Sequence, residues 1–162
     1  MSFFLWLGVN LFFLDPDLTK CAEFHVDRHV VKMITEANQL LATCYPEGVA
    51  PYRYSHFNHP MAKWVRTSKA NFDWTIQYAD ALCREYTFRY GKIHKGEGIL
   101  TWYKQNAPII NPATFTEPPR CFSTFQSQIP ATTSVWEDYR QYYRLAKQHI
   151  FKWKNRNQPD WI

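Results

Sequence analysis

Residues 26–44 of the chain read VDRHVVKMITEANQLLATC. Apolar residues recur in this stretch at steps of three and four, which places them on one face of a helix. Upstream, the turn Asp15-Pro16-Asp17 offers a carboxylate that can cap the free N–H groups at a helix start. The sequence therefore predicts one amphipathic helix over residues 18–44. Its core face is formed by Val26, Val30, Met33, Ile34, Ala37, Leu40, Leu41 and Cys44.

A second helical region is indicated over residues 60–90. Pro60 suits a first helical turn because its missing N–H would be unpaired there in any residue. Gly91 is a natural helix end. The apolar stripe between them fits one long helix or two helices joined near Ser68.

A third helix is predicted over residues 135–155, where Ser134 and Glu137 form a capping-box pattern at its start. The apolar residues at positions 9–14 indicate a short, buried, strand-like segment. Three long amphipathic helices predict an all-α fold, a compact bundle of three or more helices in a single domain over residues 1–162.

Composition supports a folded domain and narrows the class of partner. The chain has 162 residues, of which 46% are hydrophobic and only 5 are glycine, which excludes disordered and collagen-like proteins. Its formal net charge is +5, and it contains 7 Trp and 10 Tyr. Positive charge combined with many flat rings favours nucleic acid as the partner.

The compartment follows from the cysteines and the N-terminal run. The four cysteines show no CxxC spacing, so reduced thiols and a cytoplasmic location are expected. If the protein is viral, this is the cytoplasm of the infected host cell. The apolar run over residues 1–14 contains Asn10 and is shorter than the roughly 20 residues that span a bilayer, so no membrane partner is expected. The alternative is a membrane-surface anchor through Phe3, Phe4 and Trp6.

Four polar residues share a narrow stripe of the first helix. At about 100° per residue, His25, His29, Lys32 and Glu36 lie within about 60° of each other, at the border of the apolar face. Such a border position suits the lip of a cleft, where imidazole and carboxylate groups can exchange protons. We therefore predict that these four residues are catalytic.

Asp27 lies off this stripe and is a further catalytic candidate that could orient a histidine or pair with Arg28. Two alternatives remain open. In one, Lys32 and Glu36 are an ordinary surface pair and the histidines cover the core edge. In the other, Cys21, His25 and His29 bind a metal, although two helical turns rise about 12 Å and one helix seldom supplies three tetrahedral ligands. We predict no metal and no cofactor.

A basic and aromatic surface is the predicted DNA contact. Cations next to an exposed ring can neutralise phosphates while a base stacks on the ring. The alternative is that these cations are solvated and that the tryptophans belong to the core. The predicted partner is double- or single-stranded DNA, bound by a monomer or a small homo-oligomer. The nucleic-acid-binding candidates are His59, Lys63, Arg66, Asn71, Trp74, Arg140, Arg144 and Lys147.

The stretch CAEFHVDRHVVKM at residues 21–33, followed by Glu36 and Gln39, resembles a small family of proteins encoded by tailed phages. The resemblance continues through Asn58-His59-Pro60 and Pro159-Asp160-Trp161 and covers most of the chain from Asn10 onward. Members begin near Val9, so residues 1–8 form an extension or an alternative start.

In size, helical content, basic charge and its Trp-, Tyr- and Lys-rich C-terminus, the chain also resembles the endonuclease V-type pyrimidine-dimer DNA glycosylases of phages. That resemblance implies chemistry in which an N-terminal α-amine and a nearby glutamate displace a damaged base and form an imine. Ser2 would be the first residue if Met1 were removed. The resemblance therefore implies this class of chemistry for the chain but does not identify its nucleophile.

Three functions compete. The leading hypothesis is a DNA-acting enzyme of base excision or base modification, in which Trp74 stacks on a base and Glu36, His25 and His29 handle protons. Lys32 would stabilise negative charge or act as an amine nucleophile. The second hypothesis is a non-catalytic DNA-binding protein, which needs the cations but not the stripe. The third is an enzyme acting on free nucleotides.

Overall fold

A computed structural model describes residues 9–162, and the sequence predictions for residues 1–8 lie outside this range. Those are the extension, the Ser2 amine and the surface anchor through Phe3, Phe4 and Trp6. Within residues 9–162, all regular secondary structure is helical and no β-strand is present, which confirms the all-α prediction. The helices are α1 (Leu18–Phe24), α2 (Asp27–Ala42), α3 (Pro60–Val65), α4 (Lys69–Tyr90), α5 (Glu97–Gln105) and α6 (Val135–Ala146), with 3₁₀ helices at Ser123–Gln128 and Gln148–Ile150.

The helix predicted over residues 18–44 is in fact two helices, because the backbone is extended at His25 and Val26. In a continuing helix, the backbone N–H of His25 would donate to the carbonyl of Cys21. Here the imidazole Nδ1 of His25 bonds to that carbonyl instead, at 2.6 Å. The backbone N–H of Asp27 donates to the carbonyl of Lys152 at 2.8 Å. The groups that would continue the helix therefore have other partners, and the chain changes direction.

The region over residues 60–90 forms two helices, the second of the two arrangements that the apolar stripe allows. His59 caps α3 by accepting the N–H of Met61 on its Nδ1 at 3.0 Å. Ser68 caps α4 by accepting the N–H of Asn71 on its hydroxyl at 3.1 Å. Gly91 ends α4 in the left-handed conformation, with φ 66°, where a glycine carries no Cβ penalty.

The last helix begins as predicted but ends early. Ser134 accepts the N–H of Glu137 at 3.2 Å, whereas the Glu137 carboxylate bonds to Arg144, so only half of the capping box forms. Helix α6 ends at Ala146, nine residues before the predicted end at 155. The following segment is held against the α1–α2 junction instead, where the Trp153 indole donates to the carbonyl of Phe24 at 2.9 Å.

The core forms where α2 packs on α4, with α1, α3 and α5 around them. The segment at residues 9–14 is buried, as predicted, but forms neither helix nor strand. It is anchored by the N–H of Phe12, which donates to the Tyr78 hydroxyl at 3.2 Å. This anchoring leaves Asn10 and Phe12 beside one face of α2.

Two further predictions from the sequence concern membrane-spanning helices and the number of domains. No helix within residues 9–162 has the length and apolarity needed to cross a bilayer. That residues 1–162 form a single domain stays a prediction.

Candidate active site

A cleft of about 650 Å³ opens between α2, the segment at residues 9–12, the end of α6 and the loop at residues 119–126. It contains three of the five predicted catalytic residues and two of the predicted DNA ligands. Other walls come from parts of the chain that sequence patterning did not single out. The charged and polar lining residues are Asn10, His29, Lys32, Glu36, His59, Arg120, Ser123, Thr124, Gln126, Tyr142 and Lys147.

Glu36 is the buried carboxyl group of this cleft. Its side chain projects from the middle of α2, and Glu36 is 7% exposed. Its Oε2 accepts a hydrogen bond from the backbone N–H of Asn10 at 3.2 Å. Burial raises the pKa of Glu36 to about 7, although Lys32, the Asn10 N–H and Lys147 pull it down. A carboxyl group with this pKa exchanges its proton near neutral pH.

His29 lines the same cleft as Glu36 and is a neutral imidazole. Its ring stacks on Phe12 at 4.5 Å, and its Nδ1 lies 2.6 Å from the Tyr143 hydroxyl. Burial and nearby cationic groups hold the pKa of His29 well below its usual value. The Tyr143 hydroxyl also accepts the N–H of Val26 at 3.4 Å, which ties His29 to the α1–α2 junction. A neutral imidazole has one N–H donor and one acceptor nitrogen.

Two lysines lie on the cleft. Lys32 is exposed at its edge. Lys147 is half-buried, with its Nζ 5.3 Å from the ring centroid of Tyr142 and 5.7 Å from that of Phe12. Burial lowers the pKa of Lys147, Lys32 lowers it further and Glu36 raises it.

His59 also lines the cleft, at the N-cap position of α3. Burial lowers the pKa of His59 to about 4, so the imidazole is neutral at physiological pH. Its Nδ1 is the acceptor that caps Met61, which fixes the ring in place.

The other two predicted catalytic residues do not line this cleft. His25 is fully buried, its Nε2 lies 2.8 Å from the Tyr78 hydroxyl, and burial lowers its pKa to about 3. Asp27 accepts hydrogen bonds from the Arg89 guanidinium at 2.9 Å and from the N–H of Lys154 at 2.8 Å. Both residues hold the α1–α2 junction together, so the stripe of four is reduced to His29, Lys32 and Glu36.

The metal hypothesis finds no support in the geometry. The His25 ring nitrogens bond to the Cys21 carbonyl and the Tyr78 hydroxyl, not to a shared point with the Cys21 thiol. In the part of the chain that the structure describes, no three His, Cys, Asp or Glu side chains are grouped as metal ligands.

Three of the predicted DNA ligands are engaged inside the fold. Asn71 is fully buried and holds the loop at Thr116 through its amide nitrogen and oxygen, at 2.8 and 3.0 Å. The Trp74 ring stacks on Phe13 and Tyr78 at 4.6 and 5.2 Å, so it is half-buried against the aromatic core. Arg66 lies over the Phe57 ring at 3.7 Å.

The cations predicted on the last helix point to different places. Arg140 donates to the carbonyl of Leu14 and to the Asp15 carboxylate at 2.7 and 2.8 Å. Arg144 bonds to the Glu137 carboxylate and to the carbonyl of Trp161 at 2.6 and 2.9 Å. Lys147 alone of these three lines the cleft. Lys63 is exposed on α3, one turn beyond His59.

Sequence reasoning missed several residues of the cleft. Asn10 contributes a backbone N–H, which leaves no trace in side-chain patterning. Arg120 and the 3₁₀ turn after it lie in a proline-containing loop without periodicity, and Tyr142 looks like part of an aromatic core seam. Of these residues, Arg120 could have been noticed in the sequence, because it is the one charged residue at positions 119–126.

The family of the chain emerges from comparison with known proteins. A family model described as pyrimidine dimer DNA glycosylase matches residues 9–96, which is more than half of the chain and includes Asn10, His29 and Glu36. Comparisons with curated proteins and with solved structures find no match. The chain therefore belongs to the pyrimidine dimer DNA glycosylase family.

Proposed function

We propose that this glycosylase removes damaged pyrimidines from DNA in the cleft beside α2, with Glu36 as its catalytic carboxyl group. The observation that carries the proposal is the position of Glu36. It is buried at the cleft with a pKa of about 7, and the cationic side chains of Lys32 and Lys147 line the same cleft. The part of the cleft formed by residues 9–12, α2 and His59 lies within the segment that the family model matches.

The chemistry that fits these groups is displacement of the base by an amine. The amine nitrogen forms a bond to C1′ of the deoxyribose while the bond from C1′ to the base breaks, and the base leaves with the electron pair. Ionised Glu36 takes the proton that the new C–N bond releases. Protonated Glu36 then returns that proton to the ring oxygen as the sugar opens to an imine.

Neighbouring groups suit the substrate's charge. Neutral His29 lines the cleft, and its second ring nitrogen can exchange a hydrogen bond with the substrate. Lys32 is exposed at the cleft and Lys63 is exposed one turn after His59, so both can neutralise phosphates. The DNA contacts of Arg66, Asn71, Trp74, Arg140 and Arg144 stay predictions, and their intramolecular bonds favour structural roles.

The resemblance to endonuclease V-type enzymes implies an α-amine as the nucleophile. The backbone nitrogen of Asn10 lies 3.2 Å from Glu36, but it is an amide in this chain and therefore not nucleophilic. Here it donates to Glu36 and fixes the carboxylate. A chain whose first residue is Asn10 would carry a primary amine at this point.

The test uses the purified chain, ultraviolet-irradiated duplex DNA and borohydride. We expect abasic sites and a trapped protein–DNA adduct from the wild type, and a loss of about 100-fold or more in both with Glu36→Gln. Glu47→Gln is the matched control, since Glu47 is exposed outside the cleft.

Equal activity of Glu36→Gln and the wild type would overturn the assignment of Glu36. DNA binding without abasic sites in any chain would favour the non-catalytic binder, and competition by mononucleotides would favour the enzyme on free nucleotides.

We also propose that the enzyme acts in the cytoplasm of an infected host cell, as a monomer or a small homo-oligomer. The resemblance to tailed-phage proteins supports the host-cell setting. The four free cysteines fit a reducing compartment. Fractionation of infected cells and light scattering of the purified chain test the two statements.

A further inference from the structure

We propose that the ring of Phe57 stacks on a DNA base next to the damaged nucleotide and thereby helps the enzyme to select damaged duplex. The inference rests on the proposed glycosylase function and adds a residue that determines its specificity. Phe57 belongs to neither the predicted catalytic residues nor the predicted DNA ligands.

Phe57 lies in a turn directly before the cleft. The backbone N–H of His59 donates to the carbonyl of His56 at 3.0 Å, and His56 has φ 58°, which is uncommon for a residue other than glycine. His59 and Pro60 line the cleft. The reversal of the chain therefore leaves Phe57 and Asn58 exposed, directly before the residues that line the cleft.

The Phe57 ring is held in place although it is 41% exposed. The guanidinium carbon of Arg66 lies 3.7 Å from the ring centroid, and the Tyr54 ring stacks beside it at 5.7 Å. Arg66 in turn donates to the hydroxyl of Thr43, the residue that ends α2, at 3.5 Å. Because these contacts already fix the ring, it loses little conformational freedom when a base packs on its exposed part.

The chain around Phe57 is complementary to a polyanion. The sequence between Glu47 and Asp73 contains no carboxylate side chain but four cationic residues, Arg53, Lys63, Arg66 and Lys69. Lys69 pairs with Asp73, whereas the other three form no ion pair within residues 9–162. The phosphates of a strand that enters the cleft can lie along these cations while one of its bases reaches Phe57.

Base excision creates a need for such a ring. An enzyme that acts on a base in a duplex takes the target nucleotide out of the stack, so the neighbouring bases lose a stacking partner. An aromatic side chain replaces that partner whichever base is present, because every base has a flat π face. Unstacking costs least at a damaged site, so the replacement favours damaged over intact duplex.

Two other rings help to define the role of Phe57. Trp74, the ring that the sequence predicts to stack on a base, is half-buried against Phe13 and Tyr78. Phe88 on α4 is 51% exposed, and the Arg156 guanidinium lies over its ring at 3.9 Å, but it does not line the cleft. Phe88 is therefore a matched control, with the same contact to an arginine at another place.

The experiment measures dissociation constants for a duplex with one pyrimidine dimer and for the undamaged duplex of the same sequence. We expect Phe57→Ala to weaken binding to the dimer duplex by about 10-fold or more, and to the undamaged duplex by less than about 3-fold. Phe57→Trp should bind like the wild type because it keeps a ring, and so should Phe88→Ala. Circular dichroism and the thermal midpoint of each variant check that the fold is kept.

The salt dependence of binding gives a second readout, which separates stacking from charge. A neutral ring neutralises no phosphate, so Phe57→Ala should show the wild-type slope of log binding constant against log salt. A reduced slope in this variant would mean that its DNA contacts are electrostatic and would overturn the proposal.

Four results of the binding measurements would also overturn it. They are wild-type affinity of Phe57→Ala for the dimer duplex, equal losses on the two duplexes, an equal loss in Phe88→Ala, and failure of Phe57→Trp to restore binding. Each of these leaves the glycosylase function intact if the wild type forms abasic sites. Absence of abasic sites from the wild type overturns the glycosylase function itself, whatever the affinity of Phe57→Ala.

Discussion

Glu36 shows how a buried carboxyl group costs stability. Its pKa is about 7 in the folded chain against an ordinary value of 4.5, so the folded state holds the proton more tightly than the unfolded state. For such a group, the free energy of unfolding decreases as the pH rises through the range between these two values. At pH 8 the folded chain carries the full penalty of a buried negative charge.

Replacing Glu36 by Gln removes this penalty. We predict that Glu36→Gln raises the free energy of unfolding at pH 8 by roughly 3 kcal/mol, from the difference between the two pKa values. Near pH 4 the two chains should be almost equally stable, because Glu36 is then protonated in both states. Urea unfolding at the two pH values measures the difference, and a variant less stable than the wild type at pH 8 contradicts the account.

The break between α1 and α2 could not be predicted from the periodicity of the sequence. Apolar residues at three- and four-residue spacing run from Leu18 through Ala22 to Val26 and beyond, so the pattern predicts an uninterrupted helix. The break depends on distant partners: the guanidinium of Arg89 bonds to the carbonyl of Glu23, and Lys152 accepts from Asp27. These contacts are tertiary, and no local pattern reports them.

Tyr78 is the buried link of this junction. Its hydroxyl accepts the N–H of Phe12 and lies 2.8 Å from Nε2 of His25. We predict that Tyr78→Phe lowers the free energy of unfolding by about 1–3 kcal/mol, because both partners are left buried and unpaired. Thermal or urea unfolding measures the change.

Tyr90→Phe is the control on the same helix, since the Tyr90 hydroxyl makes no hydrogen bond within residues 9–162. We expect it to cost less than about 0.5 kcal/mol. Equal effects of the two substitutions would show that the hydroxyl of Tyr78 does not hold the junction.

At the scale of the whole molecule, the cleft is assembled from pieces that are far apart in the chain. The sequence predicts the part supplied by α2, because His29, Lys32 and Glu36 follow one helical period. It places Lys147 among the DNA ligands by charge but not in this cleft, since the end of α6 decides its direction. Asn10 and Arg120 come from segments without periodicity.

The distribution of charge also decides how DNA is held. Arg120, Arg140, Arg144 and Arg156 bond to carboxylates of the chain itself, so the net charge of +5 is not spread evenly over free cations. Lys32 and Lys63 are exposed near the cleft.

We predict that Lys32→Ala combined with Lys63→Ala reduces the slope of log binding constant against log salt by about 0.9 for each phosphate that the double variant no longer neutralises. Titration of labelled duplex DNA at several salt concentrations measures the slope. Lys92→Ala, exposed outside the cleft, should leave it unchanged. An unchanged slope in the double variant would mean that DNA approaches another face.

The most direct measurement for the central claim is the single-turnover rate at which the C1′–base bond breaks in a duplex with one pyrimidine dimer, measured as abasic sites. The account predicts that Glu36→Gln slows this step by about 100-fold or more, at an unchanged dissociation constant for the duplex, while Glu47→Gln keeps the wild-type rate. A Glu36→Gln chain that forms abasic sites at the wild-type rate would contradict the placement of the reaction in this cleft.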